Sequence, residues 1–179
     1  MVTALISGTK EGGQMKDEDT KKLRSIVEAY NARTDAASAK KAETRSKEAA
    51  FLEGFRKIIA ETIRPAFEEI AAVLKADGHE ATIVQSHELR ATDERSEKHE
   101  SVKFTVTPKG CTKVRDHDSR PEVVFTGDTS SERIRVYASE RMPGESGGAA
   151  PRGDHTLDAI TAEFVINLTL EVLGKTLGR

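Results

Sequence analysis

The sequence predicts an α+β fold in which a four-stranded antiparallel sheet is covered on one face by helices, with the order α-α-β-β-β-β-α. Apolar residues recur every three or four positions before Gly78 and again after Thr161, which is the spacing of helices that bury one side. Between these two regions the apolar period falls to two, as in strands with one buried and one solvated face. These two periods are the basis of the predicted fold class.

The composition limits the classes of protein to which this chain can belong. Among its 179 residues, 28 Lys and Arg stand against 30 Asp and Glu, so the formal net charge of -2 disfavours a general nucleic-acid binder. The only cysteine, Cys111, rules out an intramolecular disulfide and favours a reducing, cytoplasmic location, although a secreted protein without disulfides would have the same composition. No signal-peptide pattern or long apolar run is present, so we expect no membrane association.

The chain is expected to comprise a flexible tail at residues 1–14, a helical arm at residues 15–50 and an α+β domain at residues 51–179. The tail has no apolar periodicity. In the arm, alanines are the only apolar residues between Asn31 and Glu48, and the absence of Gly and Pro favours a continuous charged helix. The alternatives are a charged linker and a reversal at Asn31–Ala39 that forms an αα-hairpin.

One apolar stripe distinguishes the arm. Its members fall at i, i+3, i+4 and i+7: Leu23, Ile26, Val27 and Tyr30. An isolated helix with an uncovered stripe is marginal in water, so we expect the stripe to associate in a homodimeric coiled coil or on a helical protein partner.

Two helices are predicted to cover the sheet. The first occupies residues 51–77, is kinked at Pro65 because proline removes a backbone hydrogen bond, and closes at Gly78 in the left-handed conformation. The second occupies residues 161–177, with Thr161 as its N-cap. Its apolar surface exceeds half the circumference, so it is expected to lie between the sheet and the first helix or to meet a second subunit.

Four segments after Gly78 alternate as strands, and they occupy residues 81–86, 102–107, 121–127 and 132–138. The third and fourth are close enough to form a hairpin, whereas the order of strands in the sheet stays open. Two other segments are interpreted as irregular. Glu88–Glu100 is a highly charged excursion between the first two strands, and the Gly- and Pro-rich Arg141–Gly153 is a mobile loop.

Motifs for catalysis or metal binding do not emerge from the sequence. The glycine-rich run 144–153 lacks the Gly-Lys-Ser/Thr of a phosphate-binding loop. Cys111 with Asp116-His117-Asp118 lacks the rigid ligand spacing of zinc sites. No serine or cysteine occurs in the setting of a nucleophile elbow. We therefore predict no catalytic residue, metal site or cofactor, and we do not expect an enzyme.

A basic patch is expected on the solvated face of the sheet, formed by Lys103, Arg133, Arg135 and Tyr137. Cations beside an aromatic ring can neutralise and stack single-stranded nucleic acid, although one ring is fewer than such surfaces usually offer. The favoured hypothesis is therefore a non-enzymatic oligomeric adaptor that associates through the arm. The alternative is a small-ligand or single-stranded nucleic-acid binding domain that uses this face and the glycine-rich loop.

Overall fold

The computed structural model describes residues 16–92, 95–111, 120–143, 145 and 147–178. The predicted tail at residues 1–14 lies outside the described residues. The chain divides into two units, Met1–Arg45 and Ser46–Arg179. The predicted α+β class is confirmed, with a long N-terminal helix, an antiparallel sheet and a C-terminal helix.

The helices begin and end as follows: α1 at Asp17–Ile58, a π-helix at Ile59–Ile63, α2 at Arg64–Ala76, a 3₁₀ helix at Leu157–Ala159 and α3 at Ala162–Leu177. Residues Asn31–Ala39 are helical, so neither a linker nor a chain reversal occurs there. No described helix combines the length and the apolar character that crossing a bilayer requires.

The predicted helix 51–77 differs from expectation around Pro65. Arg64 donates its backbone N–H to the carbonyl of Ile59, an i→i+5 bond, and Pro65 lies in the first turn of α2, where its missing N–H is tolerated. The apolar spacing explains the π-helix. Four successive core residues, Phe55, Ile59, Ile63 and Phe67, are four positions apart, and in an α-helix each such step rotates the side chain by about 40°. The wider π turn absorbs that drift, and all four residues are fully buried.

Both helix ends predicted in the domain are confirmed. Gly78 has a φ of 85°, and its N–H bonds to the carbonyl of Lys75 while that of His79 bonds to Leu74. This pair of bonds is the Schellman motif that left-handed glycine permits. At the start of α3, Phe164 donates its backbone N–H to Thr161 Oγ1 at 3.1 Å.

The sheet contains five strands instead of the predicted four. They are β1 (Glu80–Thr92), β2 (Arg95–Thr107), β3 (Glu122–Asp128), β4 (Arg133–Ser139) and β5 (Ala150–His155). All neighbours are antiparallel, and the order β1-β2-β3-β4-β5 follows the chain. Strand β5 begins inside Arg141–Gly153, so the last part of the predicted mobile loop is a strand. A register shift where Val136 pairs with Gly153 and Tyr137 with Pro151 leaves Arg152 as a bulge on this edge strand.

The predicted excursion at Glu88–Glu100 is also wrong, because its described residues belong to β1 and β2. The two strands pair along their whole length, from Glu80 with Thr107 to Thr92 with Arg95. Charged side chains do not prevent pairing here, since the backbone supplies the ladder hydrogen bonds and an edge strand favours charges that limit aggregation.

The core lies between the sheet and the helices of the second unit. The ring of Phe67 stacks on Phe104 with centroids 4.8 Å apart and packs obliquely on Phe125 at 6.0 Å. Phe125 also meets Phe164 edge-to-face at 6.4 Å. Side chains from α2, β2, β3 and α3 therefore share one aromatic cluster on a single face of the sheet.

Candidate functional site

The arm stripe lies on α1, where its side chains face solvent. The exposed fractions are 50% for Leu23, 66% for Ile26, 47% for Val27 and 68% for Tyr30. The buried residues of α1 are Phe51, Leu52 and Phe55, all in the second unit. Exposed large apolar side chains that lie together on one helix face commonly mark an interaction surface.

Threonines accompany the stripe along α1, and their polar atoms are already satisfied. Thr20, Thr34 and Thr44 each donate their hydroxyl to the backbone carbonyl four residues earlier, at 3.3, 3.0 and 3.0 Å. These hydroxyls need no water to complete a hydrogen bond, so covering them costs less than covering a free hydroxyl.

The outer face of the sheet, opposite the helices, brings together three of the four residues predicted there. One cross-strand row runs from Val84 through Lys103 and Val124 to Tyr137. The neighbouring row runs through Ser86, Ser101, Thr126 and Arg135. Ile134, Val136 and Ala138 point into the core, as the alternation in β4 predicts. Arg133 is exposed on the same face but pairs in register with Asp128, one row further along.

These two rows line a depression with a volume of about 680 Å³. Its walls combine apolar side chains, hydroxyls and charged groups: Val84, Ser86, Ser101, Lys103, Glu122, Val124, Thr126, Asp128, Arg135 and Tyr137. The predicted Arg133 is not among them. A surface that offers both apolar contact and directional polar groups is the usual composition of a small-molecule site.

Asp128 organises the charge of this depression. Its carboxylate is almost fully buried and accepts hydrogen bonds from the backbone N–H of Ser130 at 3.0 Å and from the hydroxyls of Ser130 and Ser131 at 2.7 and 2.8 Å. Its Oδ2 also lies 2.5 Å from the guanidinium of Arg135. Burial alone raises the pKa of Asp128, but the serine hydrogen bonds and the charge of Arg135 outweigh it and lower the pKa below its ordinary value. The same carboxylate raises the pKa of Arg135.

The charges of the depression therefore differ from the basic patch predicted from the sequence. Arg135 is paired with a carboxylate, and Glu122 also lines the walls. Among the described side chains, none forms an ion pair with Lys103, whose side chain is exposed. The described lining of the depression thus combines Lys103 with polar and aromatic groups and carries little net charge, since Lys103 and Arg135 are balanced by Glu122 and Asp128.

The sequence alone does not predict Asp128 or the row of hydroxyl side chains formed by Ser86, Ser101 and Thr126. Both depend on the register in which the strands pair. Asp128 pairs with Arg133, so Arg135 is its diagonal neighbour across the hairpin, at a distance that long side chains can bridge. The turn Ser130-Ser131 after an aspartate was the available signal, since serine hydroxyls in such turns bond back to the preceding carboxylate.

The glycine-rich segment does not contribute to the depression through its described residues. Strand β5 occupies its last part, and Arg152 forms an ion pair with Glu140. Lys175 joins them, with Nζ 3.0 Å from Glu140 and 2.6 Å from Glu171. Hydrogen bonding from Lys175, reinforced by Arg152 against the opposing effect of burial, lowers the pKa of Glu140. This network of ion pairs connects the end of β4 and strand β5 to α3, so we assign it a structural role.

The other candidate ligands remain apart or lie outside the described residues. Cys111 is a half-buried free thiol, and Asp116-His117-Asp118 belong to the segment that is not described. Among the described residues, no group of three or more His, Cys, Asp and Glu is arranged to hold a metal ion.

No family model matches the chain, and neither a curated protein nor a solved structure shows significant similarity to it. The candidate sites therefore rest on the geometry alone.

Proposed function

We propose that this protein is a non-enzymatic interaction protein that associates through its N-terminal helical arm. The observation that carries the proposal is the stripe of four apolar side chains, each between 47% and 68% exposed, on a helix that is continuous from Asp17. The single cysteine, Cys111, supports a reducing compartment such as the cytoplasm.

The free energy gained by covering the stripe sets how strongly it can drive association. Covering one half-exposed Leu, Ile, Val or Tyr side chain contributes on the order of 1 kcal/mol. Four such side chains on each of two surfaces supply roughly 8 kcal/mol before the losses of rotational and side-chain freedom on binding. Because those losses amount to roughly 4 kcal/mol or more, the stripe alone supplies at most about 4 kcal/mol, which corresponds to millimolar association. A stable assembly therefore requires further contacts along the arm.

The test is light scattering coupled to size-exclusion chromatography on the full chain and on Leu23→Asp/Val27→Asp. We expect the full chain to be an oligomer or to co-elute with its partner, and the double variant to be monomeric. The matched control is Ser25→Asp/Ala32→Asp, which adds the same two charges to the same helix outside the stripe and should leave the assembly intact. An unchanged assembly in the Leu23→Asp/Val27→Asp variant would show that the proposal is wrong.

A second candidate function, binding of a small organic ligand, is favoured by the depression on the outer sheet face. The apolar surface of Val84 and Val124, the phenol of Tyr137 and the cation of Lys103 suit an amphipathic ligand with an anionic group. Single-stranded nucleic acid fits less well, because Asp128 neutralises Arg135 and the described lining of the depression offers one ring, Tyr137, for stacking.

A thermal-shift screen with small organic anions and an oligonucleotide panel tests this second candidate. A ligand that raises the melting temperature of the protein should lose its effect in Lys103→Ala/Tyr137→Ala. Arg133→Ala serves as the control, because Arg133 is exposed on the same face but does not line the depression. Absence of any ligand, or equal binding by the Lys103→Ala/Tyr137→Ala variant, would exclude the depression as a site.

A further inference from the structure

The exposed stripe of the arm continues as a heptad pattern towards the end of the first unit. Positions spaced alternately by three and four residues carry Thr20, Leu23, Val27, Tyr30, Thr34, Ala37, Lys41 and Thr44. All are helical, and all but the half-buried Thr20 are exposed. This spacing keeps one seam facing a partner helix over several turns, as in a coiled coil.

The seam changes character along its length. Its large apolar residues are confined to Leu23, Val27 and Tyr30, whereas the second half carries small residues and Lys41. In a parallel pair of arms, Lys41 of one copy would face Lys41 of the other in the seam. An antiparallel pair separates the two Lys41 residues and still joins apolar residues to each other. In the register given below, Lys41 lies opposite Lys16, which is exposed and precedes the first residue of α1, so this contact falls outside the paired helices.

In one antiparallel register, each large apolar residue of the seam lies opposite a residue against which it can pack. With the two-fold axis between Glu28 and Ala29, Val27 lies opposite Tyr30 of the other copy, and Leu23 lies opposite Thr34. The hydroxyl of Thr34 is bonded to the carbonyl of Tyr30 in its own helix, so its methyl group can pack against leucine without leaving a polar group unsatisfied. Ile26, beside the seam, then meets the aliphatic stem of Arg33.

The flanking charges agree with this register. Asp19 and Lys40 occupy equivalent positions beside the seam, and the antiparallel arrangement places Asp19 of each copy next to Lys40 of the other. Asp19, in the acidic first turn of α1, thus meets Lys40 of the other copy, and symmetry makes this ion pair twice. A parallel pair would instead bring Asp19 next to Arg24 of the other copy, which is attractive, and Lys40 next to Arg45, which is repulsive.

We propose that the arm pairs with a second copy of this chain as an antiparallel coiled coil whose axis lies between Glu28 and Ala29. This inference rests on the proposed function and specifies the partner, the orientation and the register. The occupant of the stripe is a second copy because the arm itself carries the complementary charges and the small seam residues that its large ones require.

A distance measurement distinguishes the two orientations. Ser38 is exposed beside the seam, so Ser38→Cys in a Cys111→Ser background can carry one spin label on each full-length chain. In the antiparallel register the two Ser38 positions are 19 residues apart along the axis, or about 29 Å at 1.5 Å per residue. In a parallel pair they would be separated by only about 10 Å, the distance between helix axes.

Charge exchange tests the register independently. Lys40→Glu should weaken the antiparallel dimer roughly tenfold at low salt, because it places like charges together twice. The same change would strengthen a parallel dimer by pairing with Arg45. Asp19→Lys combined with Lys40→Glu should bring the dissociation constant back to within about threefold of the wild-type value.

The outcomes separate this inference from the proposed function. A dimer with a label separation near 29 Å and rescue by the double exchange supports the antiparallel pair. An arm-dependent dimer with a short separation, or a monomer that binds a different protein through the stripe, overturns the pair but retains association through the arm. A dimer that persists in Leu23→Asp/Val27→Asp overturns both.

Discussion

Replacing Gly127 with alanine tests how closely the second unit packs its α1 segment against β3. A Cβ atom at this position would lie 2.7 Å from Cδ1 and 3.1 Å from Cε1 of Phe55, and 3.4 Å from Cε1 of Phe51. Unstrained carbon contacts are about 3.5–4.0 Å, so the Phe55 ring must move by on the order of 1 Å. Phe55 is fully buried and stacks on Phe51 with centroids 6.4 Å apart, which leaves it little room to move.

The expected effect is a loss of stability. Overpacking of a core costs about 1–3 kcal/mol, whereas exchanging glycine for alanine in a strand recovers about 0.5–1 kcal/mol. We therefore expect the free energy of unfolding to fall by about 1–2 kcal/mol for Gly127→Ala, measured by urea denaturation at a fixed protein concentration. Gly148→Ala is the control, because a Cβ there would meet nothing within 4 Å and should change stability by less than about 0.5 kcal/mol.

A double-mutant cycle identifies the contact responsible. Phe55→Leu removes the ring edge that the methyl group added by Gly127→Ala would strike. It should therefore cost less in the Gly127→Ala background than in the wild type, with a coupling energy of at least about 0.5 kcal/mol. Wild-type stability for Gly127→Ala, or a coupling energy of zero, would refute the close approach of Phe55 to β3.

Three further predictions concern individual groups. Because the folded-state pKa of Asp128 is lowered, its stabilising effect is complete above its ordinary pKa of 3.8 and is lost as the pH falls through the lower folded value. Between about pH 5 and pH 2, the free energy of unfolding should therefore fall more for the wild type than for Asp128→Asn, and equal losses would contradict the carboxylate's role. Thr161→Ala should lower stability by about 1 kcal/mol in urea denaturation while Thr161→Ser retains most of it, since the hydroxyl caps α3. Gly174→Ala should raise the thermal midpoint, adding about 0.5–1 kcal/mol, because a Cβ in this turn of α3 meets nothing within 4 Å; a lower midpoint would contradict the open space there.

The parts of the fold that the sequence predicts correctly are those where burial imposes a period. In β4, Ile134, Val136 and Ala138 are buried and Arg133 and Arg135 are exposed, because adjacent side chains of a strand point to opposite faces. The end of α2 and the start of α3 were also predictable, since Gly78 and Thr161 satisfy backbone groups through local geometry alone.

The predictions are wrong where the local composition is typical of a loop but pairing with a neighbouring strand makes the segment a strand. Pro151 and Gly153 make β5 look like a loop, yet an edge strand with a bulge accepts both residues because one side of it needs no partner. The many charged residues of Glu88–Glu100 predict a solvated segment without strands. The described residues nevertheless pair as β1 and β2, because strand pairing depends on backbone hydrogen bonds. The Asp128–Arg135 pair could not be read from the sequence because only the register across the hairpin brings it together.

The separation between the core and the arm stripe gives the proposed function its physical basis. Among the described residues, every member of the hydrophobic core cluster lies at or after Phe51, so these side chains of the second unit pack against one another. The stripe from Leu23 to Tyr30 belongs to the first unit and is about half exposed or more. Folding of the second unit thus explains the burial of Phe55 and Phe67 but gives no reason for four large apolar side chains on the arm. The proposed association supplies that reason, since a partner surface would remove those side chains from water.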